Sequence, residues 1–293
     1  MSQYIRIETT NACNLRCKSC PQSLPQKGKL KGVMSVELFS KIVNQVSPFR
    51  ENREAPFYLH ICGEPMLHPK LTELVTIAVT AGLKVVLTTN ATLLTRARSE
   101  ALVSSGLWGI EFSWEGLDKE AYEGFRIRAN YEETKANIFG FLDANKKAGN
   151  PVRTELVVVD APQLDATAVS RFCDSMRGTF DHVNLSGYFD WLGMMQPVSF
   201  ERTRYIGCSA PDTDLNVLWD GRVVPCCMDI DGQMVIGDFR SMSYLQILAT
   251  KERKNLRQRL KEGDLAGLPC DRCAVPWEVQ RSPRTSKGKP ENE

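Results

Sequence analysis

The chain has 293 residues, 42% hydrophobic and 25% charged, and its 37 lysines and arginines against 35 aspartates and glutamates leave a formal net charge of +2. That balance, with no long basic run, argues against a nucleic-acid-binding surface, and no stretch approaches the roughly 20 apolar residues that cross a bilayer. The opening MSQYIRIETTNAC lacks the apolar core of a signal peptide, so the expected compartment is the cytoplasm.

Strand candidates, in chain order, are YIRIE (4–8), FYLHI (57–61), KVVLT (84–88), GIEFS (109–113), TELVVV (154–159) and HVNLS (182–186). Between them, apolar residues at helical period mark helices over 36–46, 71–82, 94–106, 131–149 and 166–176. Gly82, Gly106 and Gly149 stand where a helix C′ glycine is expected. This alternation predicts parallel βαβ units, hence an α/β fold built as a barrel or a doubly wound sheet. After about residue 187 the pattern breaks into an irregular, aromatic-rich connection. LNVLWDGRVVPC then reads as a hairpin turning on the two-residue Asp220-Gly221, and 243–263 as one amphipathic helix with a basic, solvated outer face. The expected division is 1–187 for the βα domain, 188–276 for a small cysteine-bearing module and 277–293 for a polar tail.

A reducing compartment makes structural disulfides rare, so the ten cysteines point to metal binding or catalysis. Cys13, Cys17 and Cys20 directly follow the first strand, in a loop that a parallel barrel places at the carboxyl end of its strands, where barrel enzymes build their sites. Three local thiolates leave one metal position open unless a distant ligand fills it. Cys208, Cys226, Cys270 and Cys273 supply four thiolates across the hairpin and the terminal CxxC, a closed site. Its spacing alone suits structural zinc and a [4Fe–4S] cube about equally. Cys62 and Cys173 are isolated and read as small buried hydrophobes. Cys227, beside Cys226, is expected on the opposite face of its strand, where it packs or donates a hydrogen atom from its thiol.

In this order the motifs resemble the radical S-adenosylmethionine (SAM) superfamily. The resemblance implies a partial (β/α)6 barrel with a [4Fe–4S] cluster on Cys13, Cys17 and Cys20 whose free iron chelates SAM. It implies further that Gly63-Glu64-Pro65 receives the SAM amino group and that Ser113 and Arg126 bind its carboxylate. Asn90, after the third strand, falls among the cofactor-binding residues. Two departures stand out: Ser19 occupies the place where many relatives carry an aromatic residue against adenine, a contact that Val157 would replace. Trp114-Glu115-Gly116 stands where relatives often have Asp-Gly, so Glu115 is either a substrate contact or a structural carboxylate.

The C-terminal part resembles a short SPASM or twitch module, a hairpin plus a helix that holds one auxiliary [4Fe–4S] cluster, here on Cys208, Cys226, Cys270 and Cys273. The expected activity is a radical SAM dehydrogenase acting on a small-molecule substrate of the sugar or aminocyclitol type, with Asp190, Trp191 and Glu115 as pocket residues. The expected electron donor is of the flavodoxin or ferredoxin type. The alternative is an epimerase of a sugar or peptide in which Cys227 supplies the hydrogen atom. Two further readings stay open: a zinc-stabilised scaffold without catalysis, and an activating enzyme for a glycyl-radical protein.

Overall fold

The computed structural model describes residues 4–25, 30–52, 55–159, 165–187, 189–195 and 200–281. Its N-terminal half runs β1 (Tyr4–Ile7), β2 (Arg16–Cys17), α1 (Val36–Val46), β3 (Phe57–Tyr58), α2 (Leu71–Thr80), β4 (Val85–Thr89) and α3 (Arg96–Ser104). There follow β5 (Gly109–Trp114), α4 (Lys119–Phe125), β6 (Arg126–Ile127), α5 (Tyr131–Lys147), β7 (Arg153–Val159), α6 (Ala166–Met176) and β8 (His182–Ser186). The C-terminal part holds β9 (Phe200–Tyr205), α7 (Ala210–Thr213), β10 (Asp214–Val217), β11 (Arg222–Val224), β12 (Gly237–Asp238), α8 (Tyr244–Leu248), α9 (Lys251–Glu262) and β13 (Trp277–Arg281).

The helices begin where side chains satisfy the first free N–H groups: Ser35, Thr95, Asp118, Asn130 and Asp165 each accept a hydrogen bond from the third residue onward. The predicted glycines after α2, α3 and α5 all take left-handed backbone, with φ of 79° at Gly82, 81° at Gly106 and 87° at Gly149. The six predicted parallel strands pair in the order β1-β3-β4-β5-β7-β8, but the sheet does not stop at β1. β10 lies parallel to β1, with Tyr4 opposite Asp214 and Ile7 opposite Val217, and β11 and β12 extend the sheet antiparallel to nine strands. The C-terminal hairpin is therefore part of the barrel wall. Ile5, Ile7, Val85, Leu87, Ile110, Phe112, Leu156 and Val158 face the helices in one buried core that also takes in Leu215 and Val223.

Three expectations for the C-terminal part are corrected. The hairpin loop is longer than a two-residue turn: Leu218 N–H donates to Arg222 O, Gly221 N–H donates to Leu218 O, and Gly221 has φ 93°. This is a turn over 218–221 followed by a left-handed glycine, the three-residue hairpin loop. The single helix over 243–263 is two, because Thr250 caps α9 by accepting from Arg253 N–H and Ser243 closes a capping box with Gln246 on α8. Arg253, assigned to the solvated face, is 5% exposed and donates to Pro211 O, Asp212 O and Leu248 O. The irregular connection also contains a strand, β9, and its partner β13 comes from the stretch read as tail. The rest of that tail, 282–293, lies outside the described residues. No helix among the described residues is long and apolar enough to cross a membrane.

Glu8, just past β1, ties barrel to hairpin: its Oε2 accepts from Trp219 N–H at 3.3 Å, and its Oε1 has no protein partner among the described residues. Burial pushes this carboxyl up from about 4.5 to about 7. The folded protein thus holds a proton that the unfolded chain releases near 4.5, and the stability it contributes falls as pH rises from 4.5 to about 7. Glu8→Gln, which keeps the acceptor and removes the charge, is expected to flatten that slope and to raise stability above neutral pH, as read by denaturation of the anaerobic protein across this window.

Candidate active site

The loop carrying the first three cysteines is pinned on three sides. Leu15 anchors it in the core at 1% exposure, and the β2–β6 ladder pairs Cys17 with Arg126. Lys18 N–H donates to Phe125 O. Glu64 N–H donates to Ala12 O at 2.8 Å, so the Gly63-Glu64 turn is bonded directly to the cysteine loop. Gly63 is required by this approach, since a Cβ there would sit 1.9 Å from Thr10 O. Glu64 is buried, and its carboxylate accepts from Met66 N–H, Thr89 Oγ1 and Asn90 N–H at 3.0, 2.7 and 2.8 Å. One further acceptor position stays free on it.

These loops open onto a cavity of about 440 Å³ at the carboxyl ends of the strands, and Cys13, Cys17, Cys20, Gly63, Glu64, Asn90, Ser113, Glu115, Arg126, Val157 and Cys227 all line it. Of the residues singled out from the sequence for this locus, Pro65 does not: it opens a short 3-10 turn whose N-cap is Glu64. Asn90 acts on the cysteine loop, its Nδ2 donating to Asn14 Oδ1 at 3.0 Å and lying 3.8 Å from Cys13 Sγ. Glu115 lines the cavity with its carboxylate engaged, in a buried ion pair with Arg126. Arg126 lies over the Tyr122 ring, its charge held by Glu115 despite burial, and its Nη1 has no hydrogen-bond partner among the described residues. A buried guanidinium with one unused N–H group in this cavity fits an anion such as a carboxylate.

The second cysteine set gathers in a separate small core. Cys270 and Cys273 are buried there with Met228, Met234, Leu256, Leu260 and Leu265, and Cys208 and Cys226 pack against them. Among the described residues no three His, Cys, Asp or Glu side chains converge on a point as they would around one ion. Thiolates that each hold a different iron of a cube stand farther apart. Burial pushes Cys13 and Cys270 up to about 11 and Cys17 and Cys273 up to about 12, so these thiols are protonated until a metal displaces the protons.

Cys227 joins the two sites for a reason other than the expected one. β11 ends at Val224, so strand alternation does not apply, and the Cys226 and Cys227 thiols lie against each other. Cys226 belongs with the second set, while Cys227 lines the large cavity. Trp191, at φ 51°, also lines it and donates from Nε1 to Ser19 O at 2.9 Å. Asp190, expected beside it, instead accepts from Ala274 N–H at 2.9 Å and braces the segment after Cys273.

Sequence reasoning missed the polar lining of the barrel. Arg6, Tyr58, His60, Glu111, Glu155 and Asn184 face the cavity from successive strands. Arg6 is paired with Asp214 at 2.7 Å. Glu111 accepts from Thr88 Oγ1 at 2.7 Å, and burial raises its pKa. Burial drives His60 down to about 4, leaving it neutral. The signal was present: Glu111, Ser113 and Glu115 alternate along one strand, as do Asn184 and Ser186 on another. Polar residues at every second position of a parallel strand point to a wet interior.

Comparison with known proteins agrees with this arrangement. Residues 7–161 match the family model of the Radical SAM superfamily, and residues 208–274 match SPASM, an iron-sulfur cluster-binding domain. The chain is 37% identical over 133 residues to the GTP 3',8-cyclase of Chlorobaculum tepidum, covering 44% of this chain and 38% of that protein. It is 26% identical over 204 residues to the AdoMet-dependent heme synthase of Methanosarcina barkeri, covering 68% of this chain and 56% of that one. It thus spans about half the length, or less, of these relatives. The solved structure of BtrN in complex with AdoMet and 2-DOIA superposes with a TM-score of 0.64 at 20% identity, over 93% of both chains, a likeness of fold. With the two matched regions falling on the two places where cysteines gather, the chain belongs to the radical SAM superfamily, carries a C-terminal SPASM iron–sulfur domain, and uses S-adenosylmethionine and [4Fe–4S] clusters as cofactors.

Proposed function

We propose that this protein is a radical SAM dehydrogenase that oxidises a carbinol of a small, polar, sugar- or aminocyclitol-like substrate by two electrons. The observation that carries the reading is the single cavity that meets the first cysteine loop at its mouth, a polar barrel lining below, and Cys227, the neighbour of Cys226, at its side. Bound at a reduced cluster, S-adenosylmethionine supplies a 5′-deoxyadenosyl radical that removes one hydrogen atom from a substrate C–H bond.

The chain's own residues do the rest. Cys13, Cys17 and Cys20 hold the SAM cluster, and Cys208, Cys226, Cys270 and Cys273 hold the auxiliary one. The Gly63–Glu64 turn receives the cofactor's ammonium, Arg126 and Ser113 its carboxylate, and Val157 packs against its adenine. Glu115 keeps Arg126 charged and oriented. In the lining, Glu111 is a carboxylate of raised pKa suited to take the hydroxyl proton. The second electron leaves by way of Cys226 to the auxiliary cluster, beside the cavity. A carbinol becomes a carbonyl, with one hydrogen atom, one proton and one electron accounted for.

A second reading draws on the same place. With Cys226 on iron, the proton shared between adjacent sulfurs stays on Cys227, and a thiol in the cavity can return a hydrogen atom, giving an epimerase. The test is incubation of the reduced protein with SAM and a panel of aminocyclitols and amino sugars, in heavy water, followed by mass spectrometry of product and 5′-deoxyadenosine. The dehydrogenase gives a product lighter by one H₂, without solvent deuterium at carbon, and Cys227→Ala retains turnover. Deuterium in a product of unchanged composition, with turnover lost in Cys227→Ala, overturns the dehydrogenase in favour of the epimerase.

A further inference from the structure

We infer that Cys62 is a positioning residue for the first cluster, whose S–H group donates to Cys20 Sγ as the last link of a relay from Lys31 through Gln22 and makes the cluster easier to reduce. The inference rests on the proposed assignment of Cys13, Cys17 and Cys20 as cluster ligands.

The relay is continuous. Lys31 Nζ donates to Gln22 Oε1 at 3.0 Å, Gln22 Nε2 lies 3.9 Å from Cys62 Sγ, and Cys62 Sγ lies 3.8 Å from Cys20 Sγ. Gln22 cannot turn its amide around, because Nε2 also donates to Asn11 O at 2.9 Å. Gln22 and Cys62 are 3% and 6% exposed, so water does not compete for these groups. A cysteine that merely fills space meets carbon. This one packs against Leu218 and Val224 on one side and presents sulfur to a sulfur and an amide on the other.

Two adjacent buried sulfurs do not both carry charge. Iron fixes the anion on Cys20, which leaves the hydrogen on Cys62 and makes it the donor. A hydrogen bond to a cluster thiolate stabilises the reduced cluster, the more negative state, over the oxidised one. The polarised amide of Gln22, drawn by the Lys31 ammonium, strengthens that bond. Asn90 approaches Cys13 Sγ from the other side of the loop at 3.8 Å, so two of the three sulfurs have a donor within reach.

The test is a redox titration of the anaerobic full-length protein, followed by electron paramagnetic resonance. The first cluster is recognised as the signal that SAM perturbs, so absence of any SAM-perturbed signal would refute the cluster assignment separately. At a fixed applied potential, Cys62→Ala is expected to lower the reduced fraction of that signal about fivefold, the worth of one ordinary hydrogen bond. Cys62→Ser, which keeps a donor, restores most of it. Gln22→Leu, which leaves both thiols in place, shifts it in the same direction by less and carries the test if Cys62→Ala does not fold. Unchanged reduced fractions in Cys62→Ala and Gln22→Leu overturn the inference. So does loss of the first cluster's iron in Cys62→Ser, which would make Cys62 a ligand.

Discussion

Changing Cys13, Cys17 and Cys20 together to alanine is expected to abolish 5′-deoxyadenosine formation while leaving about half of the iron in the protein. Two cubes contain about eight irons, and only one of them is proposed to depend on this loop. The reason for a clean split is spatial. The first set lines the large cavity, whereas Cys208, Cys226, Cys270 and Cys273 gather in a core built from Met228, Met234, Leu256, Leu260 and Leu265. The loop itself is held by Leu15, by the β2–β6 pairing and by the Glu64-to-Ala12 hydrogen bond, none of which uses a thiol. The fold should therefore survive the change. Iron and sulfide analysis of the anaerobically reconstituted variant, with 5′-deoxyadenosine measured under dithionite, checks both halves. Iron falling to near zero, or SAM cleavage persisting, would contradict the assignment.

Breaking the Glu115–Arg126 pair is expected to give the largest loss of stability from a single side chain in the site. The two side chains are 6% and 2% exposed, so Glu115→Ala leaves a buried guanidinium without its counterion, at a cost of about 3–5 kcal/mol. Removing both charges at once behaves differently. Glu115→Leu with Arg126→Met fills similar volume with apolar groups, and such replacements are often neutral in stability. The double variant should recover most of the loss in anaerobic chemical denaturation, yet bind SAM at least about tenfold more weakly, for want of the Nη1 donor. Recovered stability with unchanged SAM affinity would mean that Arg126 only braces the loop. The pair also explains why a glutamate stands where relatives often have aspartate: from Glu115 the longer side chain reaches Arg126, whose backbone is paired with Cys17.

The local chemistry of the chain was legible before any fold was known. The helices 36–46 and 166–176 and the strand 182–186 lie where apolar period placed them. Three glycines end their helices with left-handed backbone, because only a residue without Cβ takes φ near 80° freely. The segregation of cysteines into a set of three and a set of four was likewise visible, since ligand chemistry depends on residue type and spacing. Where reading by period went astray, a short-range signal was outweighed. Thr250 breaks an apparently continuous helix because its hydroxyl satisfies a backbone N–H group, and Trp277–Arg281 reads as the start of a tail until β9 supplies the hydrogen-bonding edge that makes it a strand.

By itself the sequence determined that this protein has parallel βα units, a cysteine loop after the first strand and a second cysteine set behind a hairpin, because these follow from neighbours in the chain. Only the tertiary structure decided that the hairpin continues the barrel sheet through β10 and β1, that Glu115 holds Arg126, that Cys227 faces the cavity while Cys226 joins the second set, and that Cys62 meets Cys20. Each of these contacts except the Glu115–Arg126 pair and the Cys226–Cys227 neighbours joins residues far apart in the chain. Register between strands and the direction in which a loop side chain turns are set by packing across the whole sheet, a balance that no local window of residues contains.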